Sequence, residues 1–185
     1  MQAEFQALGM IEFNSIAAGI EAADHMVKAA QVEPMFLKTI CPGKFLAAVN
    51  GSVASVNSSI DAGKACAPDT VVDHFVIPNI NPEVLKALNG TSSGIHGPAV
   101  GVIETFSVPS AILAADYASK AADVFIAEVR IAMGLGGKAF CLLSGDVAAV
   151  ESAVEAGSAS AKESGLLVRK VVIPAMDSQV KQFVL

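Results

Sequence analysis

Apolar and polar residues follow two different periods along this chain, and together they predict alternating strands and helices. Short apolar runs at residues 8–13 and 99–105 predict strands. After the first run, apolar residues recur every three or four positions, at Ile16, Ile20, Ala23, Val27 and Ala30. This spacing predicts a helix whose apolar stripe packs on a sheet. Ser15 and Ser107 precede the two predicted helices and can each accept a hydrogen bond from a first-turn amide.

Each half then continues with two strands, a helix, a strand and a short helix. In the first half we predict these elements at residues 35–40, 45–49, 52–65, 71–77 and 81–88. In the second half we predict strands at 124–132, 139–143 and 167–173, a helix carrying Val147, Val150 and Val154, and a terminal helix at 177–184. This order predicts an α+β fold of the ferredoxin-like, split β-α-β type, in which helices cover one side of an antiparallel sheet.

The two halves are also similar in sequence. Residues 9–30 align without a gap to residues 101–122 and share 11 of 22 positions. A repeat over the whole chain indicates a duplicated domain. We predict a first domain at residues 1–90, a linker at 91–98 and a second domain at 99–185.

The amino-acid composition argues against several classes of function. The chain is 53% hydrophobic and 16% charged, with a mean hydropathy of +0.56, which suggests that much apolar surface meets other protein. No apolar stretch of about 18 residues predicts a membrane span, and no secretory signal is recognised at the N-terminus. The net charge of −6, without a basic cluster, argues against nucleic acid as a partner. We therefore expect a cytoplasmic protein.

Both halves contain Gly-x-Ile-Glu before an Ala-rich helix, then a Gly-Lys turn, then GSV or GDV opening a second helix. In this pattern the chain resembles the bacterial microcompartment shell domain, present in two tandem copies. The resemblance implies a structural protein and not an enzyme. It also implies a homotrimer that forms a six-lobed pseudohexamer and packs edge to edge with other shell proteins in the bacterial cytoplasm.

The segment KTICPGKF, residues 38–45, is similar to a loop in tandem shell proteins of the propanediol-utilisation microcompartment. In those proteins the cysteine lines the central pore and binds an iron–sulfur cluster. The resemblance implies that Cys41 is the metal ligand and that one Cys41 from each chain holds one 4Fe–4S cluster per trimer. Such a cluster would carry electrons across the shell or be delivered to an encapsulated redox enzyme.

The loop sequence suits this role. A single thiolate cannot hold a cluster, but three-fold symmetry presents three of them. Gly43 permits a tight turn, and Lys38 and Lys44 would offset negative charge unless their side chains point away. The second copy has Met133 or Gly134 at the place of Cys41. The predicted pore-loop residues are Ile40, Pro42, Gly43, Lys44, Gly134, Leu135, Gly136 and Gly137.

Other polar residues have simpler interpretations. Lys28 and Lys120 lie at equivalent helix ends, where a cation favours the helix dipole; the resemblance implies tile-edge contacts instead. Glu12 and Glu104 precede matched helices and are interpreted as structural. The three histidines, His25, His74 and His96, are scattered and predict no metal site, and Cys66 and Cys141 are interpreted as packing residues.

Two alternatives to the cluster remain. In one, the Cys41 thiols line a metal-free pore for small metabolites. In the other, Cys41 is the nucleophile of a soluble enzyme, which would need a neighbouring base to increase its thiolate fraction. No Cys–His signature supports the enzyme.

Overall fold

Two similar α+β folds follow one another in the computed structural model, which describes residues 7–92, 94–131 and 134–184. The first contains strands β1 (Ala7–Phe13), β2 (Val32–Ile40), β3 (Lys44–Gly51) and β4 (Val71–Pro78), helices α1 (Ile16–Ala29) and α2 (Val53–Cys66), and a 3-10 turn at Pro68–Thr70; helix α3 (Pro82–Leu88) follows. The second contains β5 (Ala99–Thr105), β6 (Phe125–Arg130), β7 (Ala139–Gly145) and β8 (Leu167–Ile173), with helices α4 (Val108–Ala121), α5 (Val147–Glu163) and α6 (Ser178–Val184).

Each fold has a four-stranded sheet in which every neighbouring pair is antiparallel. The strand orders are β2-β3-β1-β4 and β6-β7-β5-β8. The predicted split β-α-β fold is therefore confirmed in both copies. Strand β2 begins at Val32, three residues earlier than predicted. Residue 132, at the predicted end of the strand that became β6, lies outside the described residues.

The described residues form two compact units. The first comprises residues 7–80 and the loop 134–137, and the second comprises the rest. Helix α3 belongs to the second unit, where it packs against α4 and β6. The domain limits at 1–90, 91–98 and 99–185 remain a prediction about the duplication.

Serine side chains begin the helices as predicted. Ser15 accepts a hydrogen bond from the Ala18 amide at 3.3 Å, and Ser107 accepts one from the Ser110 amide at 3.1 Å. These bonds satisfy amides that a helix start leaves without an intrahelical partner.

Helix α1 packs on the sheet mainly through small residues. Its buried residues are Gly19, Ala22, Ala23 and Met26. A Cβ at Gly19 would lie 2.6 Å from Cβ of Phe45, so the helix backbone approaches the sheet more closely than a larger residue permits. Three of the five residues of the predicted stripe, Ile16, Ile20 and Val27, are exposed. The prediction that this stripe packs on the sheet is therefore wrong.

Candidate functional site

Cys41 lies at an exposed turn between β2 and β3. The turn is closed by a hydrogen bond from the Gly43 amide to the Ile40 carbonyl oxygen, at 3.0 Å. Gly43 has φ +88°, a backbone conformation that glycine adopts without steric cost. The loop therefore presents one thiol per chain to its surroundings.

The predicted glycine loop of the second copy lies against this turn, within the same compact unit. A Cβ at Gly137 would be 2.9 Å from Cδ of Pro42 and 3.5 Å from the Cys41 carbonyl oxygen, so the approach requires glycine there. A Cβ at Gly43, Gly134 or Gly136 would meet no atom within 4 Å. The two halves of the predicted pore loop thus lie together, with open space at Gly43, Gly134 and Gly136. Leu135 is half-buried, and Met133 lies outside the described residues.

The lysines near Cys41 have partners of their own. Nζ of Lys44 lies 2.6 Å from Oε1 of Glu12, a fully buried carboxylate of β1. Nζ of Lys38 lies 5.0 Å from the ring centroid of Phe36, and desolvation lowers the pKa of this lysine. Lys44 therefore balances a carboxylate of the fold, a pairing that sequence reasoning did not find. The second copy repeats it, with Lys138 and Glu104 2.5 Å apart.

The other two cysteines lie in different surroundings. Cys141 is fully buried in β7, and burial raises the pKa of its thiol to about 12, so it is a packing residue as predicted. Cys66 ends α2 and is half-buried. One ligand atom each from Glu21, His25 and Cys66 lie within 4.8 Å of one another. The sequence predicted no metal site at His25, and it gave no sign of this grouping.

The donor set at the Cys41 turn fits a cluster only when it is shared between chains. Four-iron clusters are held mainly by cysteine thiolates, and Cys41 is the one exposed cysteine among the three of the chain. A chain therefore offers one thiolate ligand at this turn, with unfilled space beside it.

The matched lysines near the ends of α1 and α4 each pair with an aspartate one turn earlier. Lys28 lies 2.6 Å from Asp24, and both side chains are exposed. Lys120 lies 2.6 Å from Asp116, which is buried and also accepts a hydrogen bond from the Asn81 amide at 2.9 Å. Of these two equivalent ion pairs, the Lys28–Asp24 pair is therefore exposed, whereas the Lys120–Asp116 pair contains a buried carboxylate.

Comparison with known proteins identifies the family. The BMC domain matches residues 7–80 and again residues 99–176. This chain belongs to the BMC domain family. It is 47% identical to the bacterial microcompartment shell protein PduT of Citrobacter freundii, over 91% of this chain and 92% of that protein. The shell protein EutM of Escherichia coli K12 is 40% identical, but 99% of its length matches only 49% of this chain.

A solved structure has the same fold along the chain. A microcompartment protein from Desulfitobacterium hafniense DCB superposes with a TM-score of 0.82 at 49% identity, covering 97% of this chain and 99% of that one. The protein is thus a tandem BMC structural shell protein of a bacterial microcompartment, and its family is not one of enzymes. None of the helices in the described part of the chain is long and apolar enough to cross a membrane.

Proposed function

We propose that this BMC shell protein closes into a homotrimer, a tile of six domains, and that three Cys41 thiolates meet in it to hold one 4Fe–4S cluster. One observation supports the proposed assembly. Two surfaces, on α1 and α6, are exposed in the chain, whereas their counterparts in the internal repeat are packed together.

The packed counterparts are α3 and α4. Val84 and Ala87 of α3 are 0% and 2% exposed, and Ile112 and Asp116 of α4 are 0% and 1% exposed. The amide of Asn81, the N-cap of α3, donates to Asp116. One short helix therefore covers the outer face of α4 and satisfies its aspartate.

The exposed counterparts have the same residue pattern. Ile20 and Asp24 of α1, equivalent to Ile112 and Asp116, are 56% and 57% exposed. Val180 and Phe183 of α6, equivalent to Val84 and Ala87, are 50% and 87% exposed. Lys181 of α6 donates to the Gly97 carbonyl oxygen at 3.0 Å, which ties this helix to its own unit. Exposed apolar groups of this size favour a protein contact.

We infer that α6 of one chain packs on α1 of the next, as α3 packs on α4. The amide of Asp177, equivalent to Asn81, would donate to Asp24 of the neighbouring chain. Such a contact joins two different surfaces, so it produces a ring when the rotation between chains closes. The resemblance to six-domain tiles sets the number of chains at three.

Three-fold symmetry also supports the assignment of Cys41. An exposed thiol near the axis occurs three times in a trimer, which provides three of the four ligands of a 4Fe–4S cluster and leaves the fourth iron to water or another ligand. When bound, the cluster would supply one-electron transfer across the shell, or it would be delivered to an encapsulated redox enzyme. The open space beside Gly43, Gly134 and Gly136 supports this placement.

Replacement of Cys41 tests the proposal. Anaerobically purified wild type is expected to contain about four iron and four sulfide per trimer, and Cys41→Ser is expected to contain neither while it stays trimeric. Cys66→Ser is the matched control and should retain the iron. A Cys41→Ser trimer with full iron content would refute the ligand assignment. A wild-type trimer without iron and sulfide would favour the metal-free metabolite pore.

A further inference from the structure

We propose that Glu21, His25 and Cys66 form a binding site for a divalent transition metal, with Zn²⁺ the favoured ion. The site joins α1 to the last residue of α2 and lies entirely within the first compact unit. It does not involve Cys41, so it stands apart from the proposed cluster.

The spacing of the three residues supplies the geometry. Glu21 and His25 are four residues apart, so they project from the same face of α1 on successive turns. Their ligand atoms and the Cys66 sulfur all lie within 4.8 Å of one another. Since zinc–ligand bonds are about 2.0–2.3 Å long, a metal between the three atoms requires only side-chain rotation.

The two helices are held together beside the site. Oγ of Ser59 on α2 donates to the Met26 carbonyl oxygen on α1 at 3.0 Å, and both residues are buried. A Cβ at Gly63 would lie 2.7 Å from Cγ of Met26, which shows how closely the helices approach. Ser59, Gly63 and Cys66 recur at helical spacing on α2, so this contact directs Cys66 towards His25. The ligands are therefore positioned before a metal binds.

The chemistry of the donors selects the ion. A thiolate, an imidazole and a carboxylate are all zinc ligands, and the sulfur disfavours Mg²⁺ and Ca²⁺, which prefer oxygen. Binding would form bonds from the metal to the Cys66 sulfur, a His25 ring nitrogen and a Glu21 oxygen. The thiol proton would pass to solvent and water would take the fourth position. Without a metal, desolvation and then the negative charge of Glu21 raise the pKa of the Cys66 thiol; a cation reverses this effect.

The internal repeat indicates that the site is specific to the first copy and stays accessible. The equivalent residues of the second copy are Leu113, Tyr117 and Ser160, a set without metal-binding character. Tyr117 is 44% exposed although α3 covers the adjacent face of α4. A neighbouring α6 packed on α1 in the same way would therefore leave His25 exposed.

Cobalt titration of the full-length Cys41→Ser chain tests the site without interference from the predicted cluster ligand. We expect thiolate-to-cobalt charge-transfer absorption that saturates at one Co²⁺ per chain and disappears when Zn²⁺ is added. Cys66→Ser should abolish it, and His25→Tyr, the residue of the second copy, should weaken binding at least about tenfold. Ser160→Cys, combined with Cys66→Ser, places a thiol at the equivalent position without the other ligands and should not restore the band.

Thiol alkylation gives a second measurement that needs no ligand substitution beyond Cys41→Ser. Zn²⁺ at ten times its dissociation constant should slow alkylation of Cys66 about tenfold, because the bound fraction is protected. Absence of the cobalt band together with an unchanged alkylation rate would overturn the proposal. A band that survives Cys66→Ser would overturn it as well.

Discussion

Glu12 and Glu104 occupy equivalent positions, but the structure buries them to different extents. Glu12 is fully buried and the side chain of its partner Lys44 is 18% exposed, whereas the side chains of Glu104 and Lys138 are 29% and 42% exposed. Removing one partner of a buried ion pair is costly, whereas a more exposed pair contributes less. We therefore expect the two equivalent ion pairs to contribute differently to the stability of the protein.

We predict that Lys44→Met lowers the free energy of unfolding by roughly 3 kcal/mol. The matched variant Lys138→Met should lower it by less than about 1 kcal/mol. Urea unfolding of the full chain, followed by circular dichroism, measures both. Equal losses would show that burial does not distinguish the two pairs.

At the residue scale, Cys41 could be predicted as a cluster ligand from the sequence because its motif is local, and that assignment stays a prediction. The pairing of Lys44 with Glu12 joins residues 32 positions apart. The antiparallel pairing of β1 with β3 brings these residues together. No local pattern marks such a contact. The grouping of Glu21 and His25 with Cys66 was missed for the same reason.

Helix packing depends on two matched glycines. Gly63 of α2 and Gly157 of α5 are equivalent and both are buried. A Cβ at Gly157 would lie 2.5 Å from the Ala114 carbonyl oxygen, which is backbone of α4, whereas at Gly63 the nearest atoms belong to the side chains of Met26 and Ile11. Flexible side chains move aside more easily than a helix backbone.

We predict that Gly157→Ala destabilises the protein by about 1–3 kcal/mol, because α4 and α5 must separate. Gly63→Ala should be close to neutral, because Met26 can adopt another rotamer and alanine is the better helix former by about 1 kcal/mol. Thermal unfolding of the two variants checks the difference. A larger loss at Gly63 than at Gly157 would contradict this account of the packing.

At the element scale, the order of strands and helices followed from periodicity, because each element expresses its own spacing of apolar residues. Periodicity did not, however, predict which face of α1 meets the sheet. Ile16, Ile20 and Val27 form the more apolar stripe, but Gly19 and the alanines allow the closer approach to the sheet. The larger residues therefore stay exposed in the single chain.

At the scale of the whole molecule, substitutions on the exposed face of α6 test the proposed assembly. We predict that Val180→Asp combined with Phe183→Asp converts the proposed trimer to monomers, since each apolar side chain buried in the contact is worth roughly 1.5–3 kcal/mol. Gln182→Asp is the matched control, because its equivalent in α3, Lys86, remains exposed. Sedimentation velocity distinguishes the species. A double variant that stays trimeric would remove α6 from the interface.

The expected edge contacts between tiles are tested separately from the trimer. We predict that Lys28→Ala reduces the extent of two-dimensional sheets seen by electron microscopy while the trimer persists in sedimentation. Lys28 suits this test because its side chain is 74% exposed in the chain, against 43% for Lys120. Unchanged sheets in the Lys28 variant would contradict the tile-edge role.

The sequence by itself determined the duplication, the order of elements and the helix starts at Ser15 and Ser107, because these are recorded in local spacing and in similarity between the halves. Its motifs also resemble those of the shell family, which the comparisons confirm. Only the tertiary structure decided which face of α1 meets the sheet, which carboxylate Lys44 neutralises and which residues surround Cys66. Those outcomes depend on how closely distant segments approach, and close approach is set by the packing of the whole domain. Within the described residues α3 packs on α4, and this contact is the template for the one that we propose between α6 and α1 of neighbouring chains.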